Sequence, residues 1–141
     1  MKFSVLFLLL MVVVAGCIIS EPVCEGCQAY KIVSITDGDT LEAVGATIRL
    51  SLVDAPEYDE EGYEEAKAFV STTCPVGSEI IFDLDEGQLE GSYGRMIGVV
   101  YCRGKNLNEE LLEKNHGVID TRFCDESEFG HDDWALKFGC V

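Results

Sequence analysis

The segment AYKIVSITDGDTLEAVGATIRLSLVDAP, residues 29–56, decides the fold. Three runs rich in β-forming residues, 29–35, 40–44 and 47–56, are separated first by Asp37-Gly38 and then by Gly45, and the last stops at Pro56. Period-two alternation between turn signals predicts three consecutive strands. Taken alone, Asp37-Gly38 marks a hairpin tip. Asp39 invites a second reading, because later segments offer matching chemistry.

Beyond this segment the period changes. Tyr63, Ala66, Phe69 and Val70 share one face of a helix within residues 58–73, ended by Pro75 and Gly77. SEIIFDL, 78–84, is a fourth strand, and DEGQLEGS, 85–92, is a polar loop. YGRMIGVVYC, 93–102, is a fifth strand that turns out through Arg103-Gly104-Lys105. NLNEELLEKN, 106–115, is a short helix with Asn106 or Asn108 as its N-cap, and a last helical piece lies around HDDWALKF, 131–138. Three strands, a helix, two strands and then helices is the order of a five-stranded OB-fold barrel, here an α+β domain with about three helices.

At the start of the chain, Lys2 precedes an apolar run, 3–19, which reads as an export signal. Val14-Ala15-Gly16-Cys17 looks like a lipobox, in which Cys17 is lipidated and becomes the first residue after cleavage; an uncleaved anchor or an ordinary signal cut nearby are the other readings. The expected division is a signal over 1–16, a tether over 17–28 and the domain over 29–141, exported and anchored to the outer face of the cytoplasmic membrane or the cell surface. Removal of the first 16 residues leaves 125, with 26 acids against 9 bases. That charge opposes diffuse attraction to nucleic acid, so a nucleic-acid partner requires a cation and a local basic cluster.

Seven cysteines occur, and setting Cys17 aside leaves Cys24, Cys27, Cys74, Cys102, Cys124 and Cys140. An even number in an exported chain predicts disulfides, with 15 connectivities possible for six cysteines. Cys24 and Cys27 lack a second pair to complete a zinc site and lack a βαβ context, so a structural bridge is expected. Cys124 and Cys140 bracket the last helical segment and form the best candidate for another.

Arg49 and Arg95 sit in otherwise apolar strands, where a guanidinium needs an anion. An internal pair between Arg49 and Asp54 would satisfy this, although the two have opposite parity on an ideal strand, so a bulge, twist or strand end must bring them together. A functional reading uses more residues. Asp39 and Asp54 supply oxygen ligands suited to calcium, Arg49 and Arg95 suit a phosphate, and Glu57 could deprotonate a water. Metal, anion clamp and base together describe phosphodiester hydrolysis.

In their order, DGDT at 37–40, IRLSLVDAPE at 48–57, EAKAF at 65–69, YGR at 93–95 and LNEELL at 107–112 resemble the staphylococcal nuclease (thermonuclease) family. The resemblance covers roughly residues 30–117. It implies a calcium-dependent endonuclease of DNA and RNA on an OB-fold, with products ending in 3′-phosphates. It also implies Asp39, Asp54 and the main-chain carbonyl of Ala55 as metal ligands, Arg49 and Arg95 on the scissile phosphate, Glu57 as general base and Tyr93 packing near the nucleotide. Ala55 replaces a threonine of the founding enzyme, Ser92 replaces a lysine that reaches a phosphate, and no tyrosine lies near Thr121. The segment 58–65 is shorter than the founder's loop and carries five acids. Two rival readings are a catalytically weak or inactive barrel that binds nucleic acid or cations, and a redox or metal-handling lipoprotein built on Cys24 and Cys27. His116 and His131 read as surface or helix-end residues, and Trp134 reads as core.

Overall fold

The computed structural model describes residues 24–89 and 92–141. The apolar leader and Cys17 lie outside them. Among the described residues no helix is long and apolar enough to cross a membrane.

The three predicted strands form an antiparallel meander: β1 (Gln28–Ile35), β2 (Thr40–Ala43) and β3 (Ala46–Leu50). Ile35 pairs with Leu41, and Thr40 pairs with Arg49. The third run does not continue to Pro56 as one strand. It breaks at Ser51–Leu52 and resumes as β4 (Val53–Asp54). Leu52 takes a left-handed backbone, φ 59°, which a branched side chain adopts only when its surroundings impose it.

Helix α1 (Tyr63–Thr73) follows, then β5 (Glu79–Leu84) against the free edge of β1. β6 (Met96–Cys102) is antiparallel to β5 and parallel to β3, which closes a five-stranded barrel. β7 (Lys105–Asn106) returns on β6 and leads into α2 (Leu107–Glu113). β8 (Val118–Ile119) pairs with β4, and α3 (Asp133–Phe138) packs near the end of the chain.

Inward positions of the strands fill the barrel with Ile32, Leu41, Ile48, Leu50, Ile80 and Phe82, each almost wholly buried. Along β3 the burial alternates, so that Ile48 and Leu50 point in while Arg49 points out. On α1, Ala66 and Val70 are buried and the flanking Tyr63 and Phe69 are half-buried. Trp134 is buried, as its spacing suggested.

Among the described residues, three disulfides join Cys24 to Cys27, Cys74 to Cys102, and Cys124 to Cys140. The second fixes the end of α1 to the end of β6. The third is the bridge expected around the last helix.

The two asparagines of α2 separate cleanly. Asn106 is the cap: its side-chain oxygen accepts from the Glu109 N–H at 3.1 Å. Asn108 is fully buried and satisfies the barrel backbone. Its amide donates to the carbonyls of Ser51 (2.8 Å) and Gly98 (3.2 Å), and its oxygen accepts from the Val100 N–H at 3.1 Å. Asn108→Ala would strand these groups away from water. It should cost about 2–3 kcal/mol in urea unfolding; a loss within measurement error would contradict this account.

Candidate active site

The tip of the β1–β2 hairpin is built by short polar contacts. The Asp37 carboxylate accepts from the Asp39 N–H at 3.0 Å, and the Thr36 N–H donates to the Thr40 carbonyl at 3.0 Å. Gly38 is buried at this tip. A Cβ there would lie 2.7 Å from the Ala55 methyl and 2.8 Å from that of Ala66. The missing side chain lets the hairpin press against α1 and the turn after β4. Asp39 is thereby seated beside the chain of residues 53–55.

Arg49 meets Asp39 there. Its Nη1 lies 2.8 Å from Asp39 Oδ2 and donates to the Val53 carbonyl at 2.8 Å; its Nη2 lies 3.9 Å from Asp54 Oδ1. The break at Ser51–Leu52 resolves the parity conflict, since it turns Asp54 to the side where Arg49 emerges. Asp39 also accepts from the Ala55 N–H at 2.8 Å and the Thr40 hydroxyl at 3.1 Å. Asp39 is 4% exposed. Burial pushes its carboxyl up to about 6, against the opposing pull of the Arg49 guanidinium and the Ala55 N–H.

Arg49 and Val53 border a cleft of about 810 Å³ on the outer face of β3 and β6, and Arg49 links it to Asp39 and Asp54. Arg49, Arg95 and Ile97 line its floor. This follows from the register, because Ile97 lies beside Arg49 across the parallel pair and Arg95 is two residues before it. Tyr93, in a left-handed backbone at φ 62°, is 95% exposed, with the Arg95 guanidinium carbon 5.8 Å from its ring centre. Glu57 is exposed in the turn after β4. Its carboxylate makes no hydrogen bond or ion pair among the described residues, while its N–H is held by Glu60 Oε2 at 2.8 Å.

The walls come from residues that sequence reasoning left as loop and tail. One contains Glu86 to Leu89, and the other contains Asp120, Arg122, Phe123 and Glu126. Asp85, fully buried, ties them to the strand break. It accepts from the hydroxyls of Ser51 and Ser127, both at 2.6 Å, from the Gln88 amide at 2.8 Å, and from the Gly87 and Glu128 N–H groups, both at 3.1 Å. The sequence signal was slight: an aspartate just past a strand, two residues before a glycine. Arg122 and Phe123 were also missed, although an arginine–aromatic pair stood next to the position where only a tyrosine was sought.

The chain between 37 and 57 therefore brings Asp39, Arg49, Asp54 and Ala55 together, Arg95 shares the cleft of Arg49, and Glu57 and Tyr93 stand exposed. The Arg49 guanidinium reaches both Asp39 and Asp54. Among the described residues, the one group of three Cys, His or carboxylate ligands within 4.8 Å is Cys24, Cys27 and Asp83, whose cysteines are joined in a disulfide. The donor chemistry beside Arg49 is all oxygen, and the Asp39 carboxylate is poorly stabilised as an anion. Both features fit a hard cation such as Ca2+.

The family described as Staphylococcal nuclease homologue matches residues 47–136. This chain belongs to that family. The match takes in Arg49, Asp54, Glu57 and Arg95, with the Asp39 hairpin just before it. Endonuclease YncB of Bacillus subtilis is 29% identical over 136 residues, which cover 75% of this chain and 62% of that protein. The succinoglycan biosynthesis protein ExoI of Rhizobium meliloti is 34% identical over 100 residues, 60% of this chain and 49% of that protein. The staphylococcal-like nuclease CAN1 of Arabidopsis thaliana is 31% identical over 91 residues, 62% of this chain and 25% of that protein. This member of the staphylococcal nuclease family thus spans less than two thirds of the length of these relatives.

The raised Asp39 carboxyl has a definite sign in folding. Between its ordinary value of 3.8 and about 6, the folded state holds this proton more often than the unfolded state. Metal-free stability from this group therefore falls as pH rises through that window. Asp39→Asn should remove this part of the slope, and the difference between the two proteins in urea titrations from pH 4 to 7 reads it. Parallel pH dependences for wild type and variant would refute the assignment.

Proposed function

We propose that this protein is a calcium-dependent endonuclease that hydrolyses phosphodiester bonds in single-stranded DNA or RNA, working outside the cytoplasm. The observation that carries this reading is Arg49, which lines one cleft with Arg95 and is ion-paired behind it to Asp39 and Asp54, in a chain of the staphylococcal nuclease family. The relatives YncB, an endonuclease, and CAN1, a staphylococcal-like nuclease, support the same reaction class. The expected location rests on the N-terminal apolar run with Cys17, and three disulfides suit an oxidising compartment.

The chain's own groups divide the work. Arg49 spends Nη1 on Asp39 and the Val53 carbonyl and holds Nη2 3.9 Å from Asp54 Oδ1; with Arg95 it takes the non-bridging oxygens of the phosphate. Charge grows on those oxygens as water attacks phosphorus, so the two guanidinium groups stabilise the transition state more than the ground state. The Glu57 carboxylate accepts the proton of the attacking water. The new P–O bond forms as the bond from phosphorus to the 5′ oxygen breaks, and that oxygen takes a proton from solvent. Asp39, Asp54 and the Ala55 carbonyl would hold Ca2+, which supplies Lewis-acid polarisation of the phosphate and of bound water.

Purified protein should cleave single-stranded DNA with Ca2+ and stop with chelator. Glu57→Gln and Arg95→Ala should each remove several kcal/mol, roughly 2–4, of transition-state stabilisation in kcat/KM. Turnover indifferent to Ca2+ and to both substitutions would dismiss the nuclease. Retained binding of single strands without turnover by the wild type would instead establish a binding module.

A further inference from the structure

The β4–β8 ladder does more than close a corner of the fold. Asp54 pairs with Val118 and Val53 with Ile119, and the Asp120 N–H then donates to the Leu52 carbonyl at 3.0 Å. Residues 118–120 are thus laid in fixed register along the segment that carries Asp54. Arg122 follows two residues later, on the wall of the same cleft as Arg49 and Arg95.

Its guanidinium is held in one orientation. Nε and Nη2 donate to the two oxygens of Asp120, each at 2.8 Å, and Asp120 is itself buried at 7% exposure. The guanidinium carbon lies 5.5 Å from the Phe123 ring centre. Of its five N–H groups, this side-on pair uses two. The other fork, Nη1 with the second hydrogen of Nη2, makes no hydrogen bond among the described residues, and the side chain is 73% exposed. Asp120 also caps the turn that carries Arg122, accepting from the Arg122 N–H at 3.3 Å, so one buried carboxylate fixes both the backbone and the guanidinium of Arg122.

We infer that Arg122 is a specificity-determining residue that grips a second phosphate of the same strand, beside the phosphate held by Arg49 and Arg95. This rests on the reading of the cleft as a phosphodiester site. The cleft, at about 810 Å³, is far larger than one phosphate. Its lining sets three arginines against Glu86, Asp120 and Glu126, so no broad positive field pulls in polyanions. Recognition depends on anions placed at the individual forks, as successive phosphates of one strand are. Asp120 helps in two ways: it aims the fork, and its own carboxyl is held below the usual range, first by the hydrogen bond from Arg122, so the pair stays ionised.

The test uses the full folded protein with Arg122→Gln, whose amide still reaches toward Asp120, and with Arg122→Lys, which keeps the charge without the fork. Two substrates separate the phosphates: hexathymidylate, and thymidine 5′-(p-nitrophenyl phosphate), which has a single diester. With Ca2+, Arg122→Gln should lower kcat/KM for hexathymidylate roughly three- to tenfold more than for the single diester, in KM more than in kcat, with Arg122→Lys between. In chelator, anisotropy of labelled hexathymidylate across a salt series should show the log–log slope reduced by about 0.7 in Arg122→Gln. Equal losses on both substrates, an unchanged slope, or no binding by the wild type would each overturn the inference. If the wild type binds but turns over neither substrate, catalysis fails as a reading while the salt slope still judges Arg122.

Discussion

The Arg49 guanidinium is the charged meeting point of three pieces of chain. It joins the β1–β2 hairpin through Asp39, the strand break through the Val53 carbonyl, and β4 through Asp54. Asp39 and the Val53 carbonyl lie where water is scarce, while Asp54 is half exposed. Together they satisfy one another, since a half-buried cation with anions on either side is tolerable where an isolated charge is not. Asp39 is the dissatisfied member. Its carboxyl remains raised even with Arg49 beside it, so the cluster is poised to accept additional positive charge.

Asp85 organises the opposite end of the cleft by the same logic with neutral donors. Five hydrogen bonds from hydroxyl, amide and backbone groups surround one buried carboxylate. They join the loop before Tyr93 and Arg95 to the tail that carries Arg122, with Ser51 as the common contact. Ser51 is also adjacent to the left-handed Leu52, and its carbonyl is held by Asn108. The floor and both walls of the cleft therefore share one short stretch of backbone. The disulfide of Cys124 and Cys140 then holds the tail against the end of α3.

Much of this was legible in the sequence because it depends on local pattern. Alternation around Asp37-Gly38 and Gly45 gave the meander, and the change of period at Tyr63 gave α1. The five strands in that order implied the closed barrel that is observed. Arginines inside apolar runs drew attention to Arg49 and Arg95 for an energetic reason that needs no coordinates. What was hidden depends on contacts between distant segments. The break after Leu50 is invisible in a run that alternates well to Asp54, because it is imposed by β8, Gly98 and Asn108. Asp85 looked like one polar residue among many, and Arg122 like a lone charge in an acidic tail. Cys74 and Cys102 could not be paired from spacing, since only the closure of the barrel brings the end of α1 to the end of β6.

The left-handed residue at position 52 acts as a phase shift in a two-beat rhythm. Before it, odd-numbered residues look outward; after it, the even-numbered Asp54 joins Arg49 on the outer side. Changes of side chain at Ser51 or Leu52 would alter how firmly the shift is held. Adding or deleting one residue there would invert it, turning every later group of the strand away from its partners. The spacing between Arg49 and Asp54 is thus a geometric quantity in its own right, counted in peptide units and independent of which residues fill it.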